Sequence, residues 1–224
     1  MPKKRKGERY MNTNCMVSPK SDEIFREIFG KEGNEEIAKG FLESVTGKKM
    51  EKVDLRNNQI LGQLPSKEIH GLVDVVTEVE GKKHSFEICV LNDQLFNGIQ
   101  LNSNIIPWYG AYIYAKLAEK NVEPKRVTYV FLSEYKIAGI RQQQYHTSWA
   151  LRSMENEKEI LGYSLNFELI EIPKAEMESE QEDLLLDWIC FLENPECERV
   201  KEKIWTNEAL KRAYEEYQRI LEEG

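Results

Sequence analysis

The stretch 70–91, HGLVDVVTEVEGKKHSFEICVL, constrains the fold more than any other part of the chain. Two runs rich in β-branched and aromatic residues, 70–79 and 84–91, flank Glu80-Gly81-Lys82-Lys83, the pattern of a β-hairpin. A two-residue loop at Gly81-Lys82 would set Val73, Val75, Thr77 and Val79 opposite Val90, Ile88, Phe86 and His84, a nearly apolar face. The other face then carries Leu72, Asp74, Val76 and Glu78 against Leu91, Cys89, Glu87 and Ser85. In that register Asp74 lies directly across from Cys89 and diagonal to Glu87, within about 7–8 Å. A slip of one residue would turn one strand's acids to the opposite face.

Asp74 and Glu87 stand out from the thirty-nine acidic residues because they lie inside otherwise apolar strands. An ionised carboxylate there is costly unless it is paired or binds a metal. Two carboxylates on neighbouring strands, with a backbone carbonyl, make an oxygen-rich site suited to Mg²⁺, which activates water and stabilises charge on a phosphodiester. The same alternation also describes an antiparallel sheet with one wet face, on which such acids have no special role.

The elements around the hairpin alternate between helical and extended patterns. Ser21 is placed to cap a short helix, with Asp22 and Glu23 in its first turn, Phe25, Ile28 and Phe29 on one face, and Gly30 at its end. A second helix from about Asn34 carries Ile37, Ala38, Phe41, Leu42 and Val45 and stops at Gly47, so that the two pack as an α-hairpin. A short strand is predicted near 52–55, followed by a polar connector through Leu64, Pro65 and Ser66. Beyond Leu91 the reading is helical, with Pro107 starting a fresh helix marked by Trp108, Ala111, Tyr112 and Ala115. Residues 126–132, 145–152 and 165–172 read as strands. The tail is two amphipathic helices, 180–192 and 206–221, separated by the Asn194-Pro195 turn.

At 224 residues, 41% hydrophobic and 31% charged, the chain has the material for one enlarged domain with a sizeable core. No apolar run reaches the roughly 18 residues of a membrane span, so no membrane partner is expected and a cytoplasmic protein is. Four cysteines without CxxC spacing fit a reducing compartment rather than a disulfide framework or a zinc site. The net charge of −8 argues against non-specific coating of nucleic acid. Positive charge is segregated in the first ten residues, MPKKRKGERY, where five basic residues face Glu8 alone. The expected organisation is a basic arm, 1–17, a main domain, 18–175, and a helical extension of that domain, 176–224.

Three segments, SPKSDEIFREIFG (18–30), LVDVVTEVEGKKHSFEICV (72–90) and FELIEIPK (167–174), resemble the recombination-promoting nuclease family, also called the PD-(D/E)XK nuclease family transposases. That family combines an opening Asp-x-x-Phe-(Lys/Arg)-x-x-Phe helix, a strand Asp, a hairpin and a Glu-x-Gln strand, followed by helices, strands and a helical tail. The resemblance spans about residue 18 to the C-terminus. It implies an α/β fold with a restriction-endonuclease-like core, a mixed central sheet flanked by helices, and a C-terminal helical extension. It also implies a hydrolase, a Mg²⁺- or Mn²⁺-dependent DNA endonuclease linked to recombination or mobile elements.

By this resemblance Asp74 and Glu87 are the two metal-binding acids, and Glu87 also helps to position water. Asp22 matches the acid of the opening motif, with Phe25, Arg26 and Phe29 matching its other members; first-turn dipole stabilisation explains an Asp there equally well. Cys89 occupies the position of the family's Gln, where related nucleases have Lys. A thiol is a weak donor and acceptor, so the departure opens an alternative: a catalytically weakened scaffold kept as a nucleic-acid-binding or protein-interaction module. Glu80-Gly81-Lys82 reads formally as E-x-K, but its turn chemistry assigns it to a loop. The family's Arg after the second strand has no counterpart in the polar stretch 94–104.

DNA is the implied partner. A homodimer would follow from the need to cut two strands, although no seam in the sequence nominates an interface. A third reading takes Trp108, Tyr109, Tyr112 and Tyr114 as a contact surface, against helical-core packing. His84 is expected to be structural, and Cys190 and Cys197, which flank FLENPE, to be packed at a helix end.

Overall fold

The computed structural model describes residues 18–56, 69–91, 95–96, 99–100, 102–119, 126–163, 165–177 and 179–223. The basic arm and the connector through Pro65 lie outside them. Six strands form one mixed sheet in the order β1-β2-β3-β6-β8-β7: β1 Glu51–Arg56, β2 Ile69–Val79, β3 Lys82–Leu91, β6 Val127–Ser133, β7 His146–Ala150 and β8 Asn166–Glu171. The pairs β3/β6 and β6/β8 are parallel and the rest antiparallel. The β3–β6 connection needs a crossover, as parallel neighbours do, and helix α3 (Ile105–Glu119) provides it. This is the α/β architecture that the sequence implies.

Alternation along the strands divides the interior into two layers. On one face Val73, Val75, Val79, Phe86, Ile88, Val90, Val130, Leu132 and Ile170 pack against α1 (Asp22–Gly30), α2 (Glu35–Thr46), α4 (Leu184–Glu193) and α6 (Glu208–Glu223). The C-terminal helices therefore share a core with the N-terminal pair. On the other face Cys89, Leu91, Tyr129, Phe131, Phe167 and Leu169 pack against Ile106, Tyr109 and Ile113 of α3.

The helix ends follow their chemistry in part. α2 stops at Gly47, which adopts the left-handed conformation at φ 66°. Ser21 stands at the N-cap of α1 without a side-chain cap hydrogen bond, whereas Asp183 caps α4 by accepting from the N–H groups of Leu185 and Leu186.

Three expectations change. Leu95–Phe96 (β4) and Ile99–Gln100 (β5) pair as a two-stranded antiparallel ribbon, where a helix is predicted; Leu95, Phe96 and Ile99 stand at i, i+1 and i+4, a spacing that a helical stripe shares, and so short a stretch does not separate the two. α3 begins at Ile105, so Pro107 lies in its first turn rather than starting it. Between the tail helices a further short helix, α5 (Glu198–Lys203), follows the Asn194-Pro195 turn; its six residues hold one buried side chain, Val200, too little periodicity to read. Among the described residues no helix is long and apolar enough to cross a membrane.

α3 approaches the sheet at Gly110. A Cβ built there would lie 2.5 Å from Cε1 of Phe167 and 3.3 Å from Cδ2 of Tyr129. An exposed helical Gly→Ala gains about 1 kcal/mol from propensity, so the sign of Gly110→Ala tests this contact. The variant is expected to lose about 1–3 kcal/mol through overpacking, measured by urea unfolding; a gain would mean that α3 stands clear of the aromatic row.

Candidate active site

The hairpin that carries the acids turns at Glu80-Gly81, both with positive φ (52° and 69°). That is the two-residue turn whose twist matches its strands, and only Gly81 adopts it without steric cost. Its position changes the predicted register. Val79 pairs with Lys82, Thr77 with His84, Val75 with Phe86, and Asp74 with Glu87. Asp74 therefore lies directly across from Glu87, not from Cys89. Moving the turn by one residue shifts the pairing by two, so from Val73 to Leu91 the paired side chains keep their predicted faces while the two acids become nearest cross-strand neighbours. Directly opposed residues have Cβ atoms about 4.5–5.5 Å apart. Glu80-Gly81-Lys82 is turn and strand start with all three residues exposed, as its chemistry indicates.

Just before Asp74 the β2/β3 register shifts between His70 and Val73. Such irregularities bend a strand and re-aim the following side chains. The row through the acids continues across the sheet: Arg56 of β1 is the register partner of Asp74, Tyr129 of β6 that of Glu87, Phe167 that of Tyr129, and Trp149 that of Phe167.

Both acids are buried, Asp74 to 5% exposure and Glu87 to 1%. Neither carboxylate oxygen of Glu87 has a hydrogen-bond partner among the described residues. Burial, reinforced by the Asp74 charge, holds the Glu87 carboxyl well above the usual carboxylate range.

Cys89 lies two residues on, on the same face, beside Phe131 in the register. Burial first, and then Glu87, push its thiol far up, so it contributes neither a thiolate nor a positive charge. Tyr109 of α3, 1% exposed, covers this corner; burial raises its phenol, and Cys89 and Glu87 add to the shift. Tyr129 responds to burial and then to Glu87 in the same direction, and its hydroxyl has no partner among the described residues. Sequence reasoning passed over Tyr129 and Arg56. The signal for the first was a phenol inside VTYVFL, a strand otherwise read as core filler.

Asp22 is set apart from this pair. It opens α1, which packs on the opposite face of the sheet, and forms an ion pair with Arg26 at 3.0 Å. The far end of α1 touches β2, where Gly30 abuts Val73; at 1.5 Å per residue Asp22 stands about 12 Å back along the helix. Phe25 and Phe29 of the same motif are core residues, their rings 4.6 Å apart.

The aromatic stretch divides between the two readings given to it. Tyr109 is core, while Trp108 is 48% exposed and stacks on Tyr112 with centroids 5.9 Å apart. His84 is structural, stacked on Phe86 and hydrogen-bonded to Thr128 at 2.9 Å, and burial lowers its pKa to about 4. Lys174, of the third motif segment, forms a buried ion pair with Glu171, whose other oxygen accepts from the N–H of Ile137 at 2.7 Å. That pair fastens the β6–β7 connection to the end of β8.

The donor set suits a hard divalent cation. Two opposed carboxylates could supply oxygen ligands, and Glu87 has acceptors without partners among the described residues that a cation could use. Among the described residues no three His, Cys, Asp or Glu side chains group as ligands. Mg²⁺ is commonly held in this way, by one or two carboxylates with water and substrate phosphate completing the shell.

Residues 19–223 match the family model for PD-(D/E)XK nuclease family transposases. No curated protein and no solved structure gives a significant match.

Proposed function

Because the chain belongs to the PD-(D/E)XK nuclease family transposases, we propose that it is a metal-dependent DNA endonuclease in which Asp74 and Glu87 hold Mg²⁺ or Mn²⁺. The observation that carries this reading is the buried cross-strand pair, Asp74 opposite Glu87, with the Glu87 oxygens lacking hydrogen bonds among the described residues. A buried carboxyl with no partner lowers stability, a cost that a ligand role explains and a packing role does not. The cation would supply Lewis-acid polarisation of the phosphoryl group and a water of lowered pKa.

The chain's own residues prepare that site. Glu87 releases its proton on becoming a ligand, Tyr109 and Phe131 keep bulk water from its side of the sheet, and the Gly81 turn fixes the register that opposes the two acids. Arg56 occupies the β1 register position beside Asp74. Recombination or mobile-element DNA is the substrate class that the family description suggests, and a cytoplasmic location accords with three free cysteines among the described residues.

Cys89 favours a second reading, in which the fold binds nucleic acid or protein and cuts poorly, since a buried neutral thiol stands where a hydrogen-bonding or charged group is expected. Nicking of supercoiled plasmid in Mg²⁺, Mn²⁺ and EDTA separates the two. The endonuclease reading expects metal-dependent nicking that falls at least about 100-fold in Asp74→Ala, the scale of losing one electrostatic stabiliser, and changes little in Cys89→Ala. Silence in the parent with activity gained in Cys89→Gln supports the weakened scaffold.

A further inference from the structure

Met177, Cys190 and Cys197 gather where α4 gives way to α5, in the core on the sheet face opposite the one that carries Cys89 and the carboxylate pair. Cys190, near the end of α4 and 3% exposed, has its Sγ 3.5 Å from Sδ of Met177 and 3.9 Å from that residue's carbonyl oxygen. The chain then folds back: the N–H of Asn194 donates to the Cys190 carbonyl at 2.8 Å, and the N–H of Cys197 to the Asn194 carbonyl at 3.1 Å. This turn returns Cys197 to the cleft that Cys190 and Met177 line, and all three pack in or against one core cluster. Neither cysteine is in a disulfide.

All three residues line one cleft of about 570 Å³, whose other lining includes five glutamates against Arg199 and Lys203. Those two cations are already engaged, Arg199 by Asp187 at 2.6 Å and Lys203 by Glu182 at 2.8 Å. The remaining field attracts positive ions.

The geometry points to a soft-cation site in which Met177, Cys190 and Cys197 bind one monovalent thiophilic ion of the Cu(I) class. Metal–sulfur bonds of about 2.3 Å in a trigonal arrangement separate the sulfurs by about 4 Å, so the 3.5 Å between Cys190 and Met177 needs only a small adjustment. Thiolate and thioether donors select Cu(I) over hard cations, and structural Zn²⁺ asks for four nitrogen or sulfur ligands, one more than this cluster offers. Binding involves no redox step. The ion replaces the thiol protons of Cys190 and Cys197, which pass to solvent. The site is independent of the nuclease reading.

Anaerobic titration of the full chain with Cu(I) against the chromophoric chelator bicinchoninate tests it, with Cys15→Ser present in every sample to remove that thiol. One equivalent is expected to bind. Affinity should fall more than about 100-fold in Cys190→Ser and in Cys197→Ser, beyond the 10–100-fold cost of losing a supporting group, and about 10-fold in Met177→Leu. Cys197 is partly exposed, so its variant keeps the test valid if Cys190→Ser unfolds. Undiminished binding by Cys197→Ser, or a Met177→Leu protein equal to the parent, would overturn the three-sulfur site.

Discussion

Glu87→Gln is expected to raise the stability of the metal-free protein while abolishing metal-dependent cleavage. The two effects have one cause. Glu87 is 1% exposed with neither oxygen hydrogen-bonded among the described residues, and burial with the neighbouring Asp74 raises its pKa in the folded chain. Below the unfolded-state value, near 4.3, both states carry the proton and the group is neutral to stability. Above it the unfolded chain ionises while the folded chain does not, so stability declines with pH by about 1.4 kcal/mol per unit until the folded pKa is reached.

Gln removes that dependence. At pH 7 the variant should melt several degrees above the parent, since 1 kcal/mol moves Tm by roughly 2–4 °C at this size, and the gap should close towards pH 4. Mn²⁺ should raise the Tm of the parent and leave the variant unmoved. A variant less stable than the parent across this range would mean that Glu87 is a paired structural carboxylate.

Trp188→Ala should be the most damaging single truncation, at about 3–5 kcal/mol. Trp188 is fully buried, with ring centroids 5.8 Å from Phe29, 5.8 Å from Phe41 and 6.3 Å from Phe191. It joins α4 to both N-terminal helices, so its loss opens a cavity between parts of the chain more than a hundred residues apart. A fall in Tm of roughly 10 °C or more is expected by calorimetry. Trp205→Ala, at an 80% exposed position, should shift it little. Comparable losses at the two positions would place the tail helices outside the shared core.

The carboxylate faces were legible because period-2 alternation survives any even shift of register: Asp74 and Glu87 share a face whether the turn is at 80–81 or 81–82. What alternation cannot fix is which residues oppose each other. That depended on Glu80 taking a positive φ, a conformation that a non-glycine residue adopts only at a cost, and the sequence pattern favoured Gly81-Lys82 instead. Buried strands and long amphipathic helices announced themselves through apolar spacing. The ribbon at Leu95–Phe96 and Ile99–Gln100 and the six-residue α5 are too short to carry a period. Tyr129 and Arg56 escaped notice because their register positions beside Glu87 and Asp74 arise only when β1 and β6 pair with the hairpin. No local pattern encodes which distant strands become neighbours.

Asp74 and Glu87 are proposed to share a divalent cation. Anomalous diffraction from crystals grown with Mn²⁺ tests it most directly. One strong peak is expected between β2 and β3, within about 2.0–2.6 Å of an oxygen from each carboxylate, and it should be lost in Asp74→Ala. A protein that nicks DNA with Mn²⁺ bound elsewhere and these two carboxyls unoccupied would contradict it.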